Sequence, residues 1–199
     1  KTTINKLSDK IISTLINKKV LPVEKTGISI IHENHFYILN GKSKTATAFY
    51  NPQKPELEYI PARSVFGIEP KNPEQLFAIH ALLNPAIKLV TIQGNAGTGK
   101  TLLALASALE QRKSYRQIFV TRPIVPLSNK DIGYLPGDVK SKIDPYMAPI
   151  WDNLKFIKDQ LADDERAAAK IDELVSTEKI SVAPLAYIRG RTLTKIFFI

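Results

Sequence analysis

One run near the middle of the chain has the residue types and spacing of a phosphate-binding loop. It has the form G-x-x-x-x-G-K-[ST], and its three glycines let backbone N–H groups turn toward an anion without a clash from a Cβ atom. Lys100 would reach the β- and γ-phosphates of a nucleotide, and the Thr101 hydroxyl would hold Mg²⁺. These two are the predicted catalytic residues. The predicted phosphate-binding set is Gly94, Asn95, Ala96, Gly97, Thr98, Gly99, Lys100 and Thr101.

The segments on either side of this loop have the character that a phosphate-binding loop needs. Residues 87–93 are apolar and β-branched, which predicts a buried strand, and residues 102–109 are helix formers without Gly or Pro. A helix that begins at the loop adds unpaired N–H donors and the positive end of its dipole. A glycine turn that only links strand to helix is the alternative. The complete strand–loop–helix context favours nucleotide binding.

Gln75 allows two interpretations. Asn72 and Pro73 predict the start of a helix that runs to about Leu83, with Asn72 as its N-cap and Pro73 at its first position. Gln75, the third residue of that helix, would then bond back to the backbone of Asn72. Its amide also offers the donor and acceptor that adenine N6 and N7 require. Spacing alone leaves both roles open.

The rest of the chain predicts a small β module followed by an α/β core. Residues 5–17 have helical periodicity, and Asn40-Gly41 is a strong hairpin signal in a region of short β-prone runs. We therefore expect a small antiparallel β module there, with runs at 28–31, 36–39, 45–50 and 57–60. Farther on, strands alternate with helices, which predicts a mostly parallel α/β sheet. The strands are expected at 117–121, 179–183 and 195–199, and the helices at 145–160 and 163–175.

Composition limits the class of protein. The 199 residues are 44% hydrophobic and 24% charged, and the absence of cysteine excludes disulfides and cysteine-based zinc sites. No apolar run is long enough to span a bilayer, and the N-terminus lacks the apolar core of a signal peptide, so we expect a cytoplasmic protein without a membrane partner. Net charge is +9, and residues 1–50 carry eight lysines against three acids. This excess indicates either a nucleic-acid partner or a solvated lysine surface.

Several further runs carry a resemblance to a known family. Residues 66–75 followed by the loop resemble the Q-motif and Walker A arrangement of superfamily 1 helicase-like ATPases. Four runs in family order and at plausible spacing resemble the PhoH family: Thr121-Arg122-Pro123-Ile124-Val125, Gly133-Tyr134-Leu135-Pro136-Gly137-Asp138, Lys142-Ile143-Asp144-Pro145-Tyr146 and Arg189-Gly190-Arg191-Thr192-Leu193.

This resemblance implies a RecA-like P-loop ATPase core over residues 66–199, preceded by a basic helix and β module at residues 1–65. It strengthens the adenine role of Gln75 and makes ATP with Mg²⁺ the expected ligand. The intact protein would hydrolyse ATP and act on RNA or another nucleic acid. Longer relatives carry a PIN-type ribonuclease domain ahead of such a core, and family members assemble into homo-oligomeric rings.

The family's acidic Walker B run follows the strand after the Arg-Gly-Arg-Thr segment. The sequence begins at Lys1 and stops at Ile199, just before the expected position of that run, so we expect a fragment that binds nucleotide without turnover. Asp138 and Asp144 are candidate replacements for the acid. Both lie in turn-like segments, where Asp commonly bonds its own backbone.

Other chemistry-bearing residues have two interpretations each. Arg122, Arg189 and Arg191 are candidate nucleic-acid contacts, although a strand-end ion pair and an ordinary surface loop are equally compatible with their positions. The aromatic side chains are interpreted as core rather than base-stacking residues: Tyr134, Tyr146 and Trp151. The spacing of the histidines does not form a metal-ligand cluster: His32, His35 and His80.

Two other classes of protein fit the P-loop. A small-molecule or nucleotide kinase would also use Lys100 and Thr101, with an acceptor site and a lid but no need for the basic excess. A non-catalytic module would bind nucleotide only as part of an interaction scaffold.

Overall fold

The computed structural model describes residues 1–28, 32, 34–51, 53–123, 139–161, 164–188, 190 and 192–199, and the side chains of these residues except 139–143. The chain divides into two compact units. The first unit consists of Lys1–Arg63 and Pro70–His80, and the second of Ser64–Glu69 and Ala81–Ile199. The domain boundary placed at residue 65 from the sequence stays a prediction. No helix in the described part of the chain is both long and apolar enough to cross a membrane.

The first unit contains a five-stranded sheet with the helix α1 packed on it. The strands, in the spatial order β1-β3-β4-β5-β2, and the helix α1 have these bounds: β1 Thr2–Ile4, α1 Asp9–Lys18, β2 Val20–Pro22, β3 Phe36–Asn40, β4 Thr45–Asn51 and β5 Glu56–Tyr59. β1 runs parallel to β3, and the other neighbours are antiparallel. The expectation of an antiparallel module is therefore corrected to a mixed sheet. β1 and β2 had not been predicted.

Local sequence explains where these elements begin and turn. The Ser8 hydroxyl accepts a hydrogen bond from the Lys10 N–H at 3.3 Å, which caps α1 at Asp9. The helix predicted over residues 5–17 is confirmed, but its expected start at residue 5 was wrong, because Ser8 is the N-cap and the helix begins at Asp9. The Asn40-Gly41 hairpin is confirmed, and the Gly41 N–H donates to the Lys44 carbonyl at 2.8 Å. The run predicted at 28–31 lies, apart from its first residue, outside the described residues.

A continuous apolar core holds this first unit together. α1 lays Ile12 and Leu15, both fully buried, on the inner face of the sheet, where alternate strand residues meet them. The other buried members of this cluster are Leu21, Tyr37, Leu39, Ala46, Ala48 and Leu57. Leu21 of the edge strand β2 belongs to this core, and the partly buried Ile4 of the edge strand β1 packs against it.

A second helix, α2, begins where the sequence predicts it. α2 spans Pro73–Leu83, and the Asn72 Oδ1 accepts a hydrogen bond from the Gln75 N–H at 2.9 Å, as an N-cap does. Its residues up to His80 belong to the first unit. There Phe77 stacks on Phe36, with ring centroids 4.8 Å apart, and His80 contacts both Phe36 and Phe49.

The second unit contains a parallel sheet of three described strands, in the order β7-β6-β8, with helices before and between them. Its elements are α3 Lys100–Glu110, β6 Gln117–Arg122, α4 Val139–Gln160, α5 Glu165–Ser176, β7 Ile180–Pro184 and β8 Ile196–Phe198. Both β7 and β8 pair in parallel with β6. This arrangement confirms the predicted α/β architecture with a mostly parallel sheet.

The prediction of a strand at residues 87–93 was wrong. These residues form no hydrogen-bonded strand, and Leu89 is 82% exposed. A β-prone run becomes a strand only when a neighbour takes its backbone hydrogen bonds, and none of the described strands pairs with this one. The residue types give this run a high β propensity, but they do not tell whether another strand lies beside it.

Candidate nucleotide-binding site

The glycine-rich loop at residues 94–99 adopts the backbone that its sequence requires. Gly97 and Gly99 have φ angles of 77° and 82°, in the left-handed region that glycine enters without steric cost. Gly99 is the N-cap residue of α3, and its carbonyl accepts the first helical hydrogen bond from the Leu103 N–H at 2.9 Å. The loop therefore leads directly into a helix N-terminus, where unpaired N–H groups and the dipole favour an anion.

Lys100 lies against this loop. Its Nζ donates to the carbonyls of Gly94 and Asn95 at 2.8 and 2.7 Å, and the Thr98 hydroxyl also bonds the Asn95 carbonyl at 2.8 Å. The ammonium charge is therefore held against the backbone of the loop. Thr101, in the first turn of α3, is exposed and adjacent to it.

These groups fit a nucleotide phosphate chain with Mg²⁺. The loop and helix N-terminus supply N–H donors, Lys100 supplies positive charge, and the Thr101 hydroxyl supplies an oxygen ligand of the type that Mg²⁺ prefers. Among the residues that the structure describes, no group of three or more His, Asp or Glu side chains could hold a metal ion. A metal bound here would depend on Thr101, phosphate oxygens and water, as is usual for Mg²⁺.

A cleft of about 420 Å³ opens beside the loop, within the second unit. One wall comes from the loop and the start of α3, and the facing wall comes from α4. The α4 side chains are Asp152, Asn153 and Phe156, at positions i, i+1 and i+4 of one helix face. We refer to these three residues as the α4 wall. The cleft is lined by the α4 wall together with Gly97, Gly99, Lys100, Thr101 and Leu102.

The α4 wall was not anticipated from the sequence, although the sequence contains a signal for it. The buried stripe of α4 consists of Met147, Ile150, Leu154 and Ile157, with the 3- and 4-residue spacing of a core-facing helix. Phe156 does not belong to this stripe and is 47% exposed. A large apolar residue outside a regular stripe indicates a second packing partner.

The Gln75 side chain has a structural role in the first unit. Its Oε1 accepts a hydrogen bond from the Lys71 N–H at 2.7 Å, one residue before the N-cap Asn72. Two reciprocal hydrogen bonds therefore stabilise the start of α2, one to the Asn72 side chain and one from the Lys71 N–H. The arrangement resembles a capping box that is displaced by one residue. The adenine role of Gln75 stays a prediction.

The three candidate arginines have different positions. Arg122 is the last residue of β6, exposed at the carboxyl edge of the sheet, and its Nη1 donates to the Tyr146 carbonyl at 3.4 Å. This bond links the strand end to α4. Arg189 and Arg191 lie outside the described residues. The role of all three in nucleic-acid binding stays a prediction.

Other residues singled out from the sequence are partly described. Asp144 is exposed on α4, and Asp138 and Tyr134 lie outside the described residues. Tyr146 is half-buried. Trp151 is 39% exposed and lies outside the buried stripe of α4, so the interpretation of Trp151 as a core residue was wrong.

The histidines have separate surroundings. His35 shares a hydrogen bond of 2.8 Å with the Thr2 hydroxyl and packs near His32, while His80 lies among aromatic rings.

The parallel sheet, the glycine loop and the helix that the loop caps together define a P-loop NTPase-like α/β protein. A family model described as "PhoH-like protein" matches residues 67–199, two thirds of the chain. The chain therefore belongs to the PhoH family.

Individual relatives agree with this assignment. Protein PhoH2 of Bacillus subtilis (strain 168) is 37% identical over 201 aligned residues, which cover 97% of this chain and 44% of the relative. Protein PhoH2 of Mycolicibacterium smegmatis is 36% identical over 140 residues, which cover 69% of this chain and 30% of the relative. A PhoH-like protein of Synechocystis is 43% identical over 109 residues, 53% of this chain and 30% of that protein. The chain thus spans less than half the length of these relatives.

Proposed function

We propose that residues 94–101 bind ATP with Mg²⁺, and that the intact protein hydrolyses ATP and acts on RNA or another nucleic acid. The observation that carries the first part is the position of the Lys100 ammonium over a loop whose two glycines have left-handed φ angles and lead into α3. The loop and the helix start thus offer backbone donors, a cation and a hydroxyl within eight residues, which are the groups that bind a phosphate chain.

Chemically, these residues would act by positioning and by charge stabilisation. The loop N–H groups and Lys100 would hold the β- and γ-phosphates and stabilise the charge that develops on them, while bound Mg²⁺ would neutralise phosphate oxygens. Thr101 would orient the ion through its hydroxyl. The kinase alternative uses the same groups, and it is tested by asking whether the γ-phosphate passes to water or to a small acceptor.

The test of nucleotide binding is the substitution Lys100→Ala, with affinity for ATP–Mg²⁺ measured by isothermal titration calorimetry. Loss of a charge-assisted contact should weaken binding at least tenfold, about 1.4 kcal/mol. Lys113→Ala is the matched control, since Lys113 is an exposed lysine of the same unit just beyond α3, and it should bind as the wild type does. Equal affinity of Lys100→Ala and the wild type would refute the assignment.

The basic charge of the first unit supports the nucleic-acid part of the proposal. All eight lysines of residues 1–50 are exposed. α1 and the β3–β4 loop meet where the Asp9 carboxylate accepts hydrogen bonds from Ser43 and where Lys44 Nζ donates to Ser13 at 2.6 Å. Lys10, Lys42 and Lys44 therefore lie at one end of this unit, as an electrostatic contact to a phosphate backbone requires.

RNA binding is tested through its salt dependence. Affinity for a single-stranded RNA, measured by fluorescence anisotropy, should fall linearly with the logarithm of salt concentration. The triple variant Lys10→Gln, Lys42→Gln, Lys44→Gln should reduce the slope by about 0.7 for each phosphate contact that is lost. Gln in place of Lys113, Lys155 and Lys170 of the second unit gives a control of equal charge. No RNA binding in the intact protein, or a salt-independent affinity, would contradict the proposal.

Ring assembly and an upstream PIN-type ribonuclease domain remain further proposals for the intact protein. Sedimentation of the intact protein with and without ATP tests the first. Cleavage of a labelled RNA by the intact protein, which should persist in Lys100→Ala if a separate domain performs it, tests the second.

A further inference from the structure

The α4 wall is rigidly placed beside the phosphate-binding loop. Ile150, Leu154 and Ile157 are nearly or fully buried in the apolar stripe of α4, and the helix contacts α3, α5 and β7. The Arg122 guanidinium holds the carbonyl of Tyr146, and the Asn153 amide donates to the Pro149 carbonyl at 2.5 Å. These contacts position α4, and with it the wall, independently of a ligand.

The chemistry of this wall differs from that of the loop. An exposed aromatic ring and a carboxylate form no favourable contact with phosphate oxygens, and the negative charge of Asp152 repels them. A volume of about 420 Å³ lies within the range of small-molecule sites, which are mainly apolar with a few polar groups that fix orientation. The wall therefore suits a neutral, flat and hydroxylated part of a ligand.

A nucleoside has these properties and is joined to the phosphates that the loop would hold. Phe156 offers a ring face on which a base stacks. Asp152 is one helical turn before Phe156 on the same face, with about 5–6 Å between Cβ atoms, so its carboxylate lies next to a ligand stacked on the ring. A carboxylate accepts hydrogen bonds from the two hydroxyls of a ribose.

We propose that the α4 wall binds the nucleoside of the nucleotide, with Phe156 as the stacking surface for the base and Asp152 as the acceptor for the ribose hydroxyls. The inference rests on the proposed function, because the loop must hold the phosphates. It adds a nucleoside subsite to the phosphate subsite, on an element that the P-loop motif does not include.

The experiment compares two probes that share the phosphate chain. Mg²⁺–ATP and Mg²⁺–tripolyphosphate are titrated calorimetrically into the wild type, Phe156→Ala, Phe156→Tyr and Trp151→Ala. The wild type should bind ATP more tightly than tripolyphosphate. Phe156→Ala should weaken ATP about tenfold and leave tripolyphosphate unchanged, because base stacking accounts for about 1–3 kcal/mol. Phe156→Tyr retains the ring and should restore ATP affinity.

Trp151→Ala is the matched control. Trp151 is also a partly exposed aromatic of α4, but it lines a separate groove with residues of α5. Its removal should change neither affinity. If Phe156→Ala weakens both probes equally, the ring supports the loop and does not bind a base, and the proposal is overturned.

Asp152→Asn separates the ribose role from a metal role. It should lower the affinity for ATP several-fold, with no change for tripolyphosphate, and it should not affect the affinity for 2′,3′-dideoxy-ATP. Weaker binding of Mg²⁺–tripolyphosphate by this variant would mean that the carboxylate serves the metal, which overturns the ribose assignment.

Failure of the two proposals can be distinguished. If the wild type binds tripolyphosphate as tightly as ATP and Lys100→Ala loses both, phosphate binding stands and the nucleoside wall is wrong. If Lys100→Ala binds both probes like the wild type, the loop assignment itself is wrong.

Discussion

The two units of this chain differ in how completely their β-prone sequence is paired and buried. In the first unit, five strands and α1 enclose a core in which Ile12, Leu39 and Leu57 have no exposed surface. In the second, three strands pair, while residues 87–93 run to the candidate phosphate site without a strand partner and Leu89 is 82% exposed. Intrinsic propensity is similar in the two regions, but the run at residues 87–93 has no neighbour among the described strands.

This difference shows that the same kind of apolar side chain can contribute very differently to the free energy of unfolding. A leucine contributes to stability when folding removes it from water and surrounds it with atoms, and contributes little when it remains hydrated. The segment that leads to the loop is therefore tolerant of change in its exposed side chains, whereas the β module is not. Three pairs of measurements test how far burial and packing decide the effect of a substitution, and the first pair tests the contrast between the two regions directly.

Core truncation should give the largest effect. Leu57→Ala, in β5, removes a fully buried side chain and should lower the free energy of unfolding by about 2–5 kcal/mol. Leu89→Ala makes the same chemical change in the exposed segment and should stay within about 0.5 kcal/mol. Urea unfolding followed by far-UV circular dichroism measures both. Similar losses in the two variants would mean that residues 87–93 are packed in solution.

Glycine substitutions should give an intermediate effect. Gly67 has a φ of 81°, and a Cβ atom there would lie 2.8 Å from the Leu161 Cδ2, so Gly67→Ala should cost about 2 kcal/mol or more. Gly27 has a φ of 70° with no atom within 4 Å of the added Cβ, so Gly27→Ala should cost about 1 kcal/mol. Thermal unfolding compares them. A Gly27→Ala variant as unstable as Gly67→Ala would show that backbone strain alone decides both.

Protonation of His80 should give the smallest effect, and only in acid. Burial among Phe36 and Phe49 lowers the pKa of His80 below 6.5, with Glu58 opposing this shift and Arg63 adding to it. The unfolded chain therefore binds the proton first. The stability of the first unit is complete above about pH 6.5 and declines as the pH falls toward the lower, folded-state pKa.

His80→Phe removes this proton-binding group and should make stability less dependent on pH between about pH 7.5 and 5.5, as judged by urea midpoints. Burial and the nearby N-terminal and His32 charges also lower the pKa of His35, so His35→Gln serves as the comparison. An unchanged pH dependence in His80→Phe would place the titration elsewhere.

Local sequence predicted the parts of the fold that depend on local interactions. Asn72 caps α2, and the Asn40-Gly41 turn joins β3 to β4, because these side chains and turns bond to the backbone within a few residues. α5 was expected from residue 163 and begins at Glu165, where the Asp164 Oδ1 accepts from the Ala167 N–H at 3.0 Å. The parallel sheet of the second unit followed from the alternation of strands and helices.

Predictions that depended on distant partners were less successful. β1 pairs with β3 across more than thirty residues, and its short Thr2–Ile4 run has no pattern of its own. Residues 87–93 have the residue pattern of a strand, but none of the described strands pairs with them. Trp151 was assigned to the core by residue type, but helix packing buried Ile150 and Leu154 and left it partly exposed.

By itself, the sequence determined the glycine-rich loop, because the left-handed φ angles at positions 97 and 99 favour glycine, which stands at both. It also determined the helix starts and the α/β order. Only tertiary structure decided what faces the loop. Asp152 and Phe156 lie more than fifty residues from Lys100 in sequence, and they reach the same cleft because α4 packs beside α3. A sequence motif identifies residues that are neighbours along the chain, whereas the residues on the opposite wall of a cleft depend on how another helix packs.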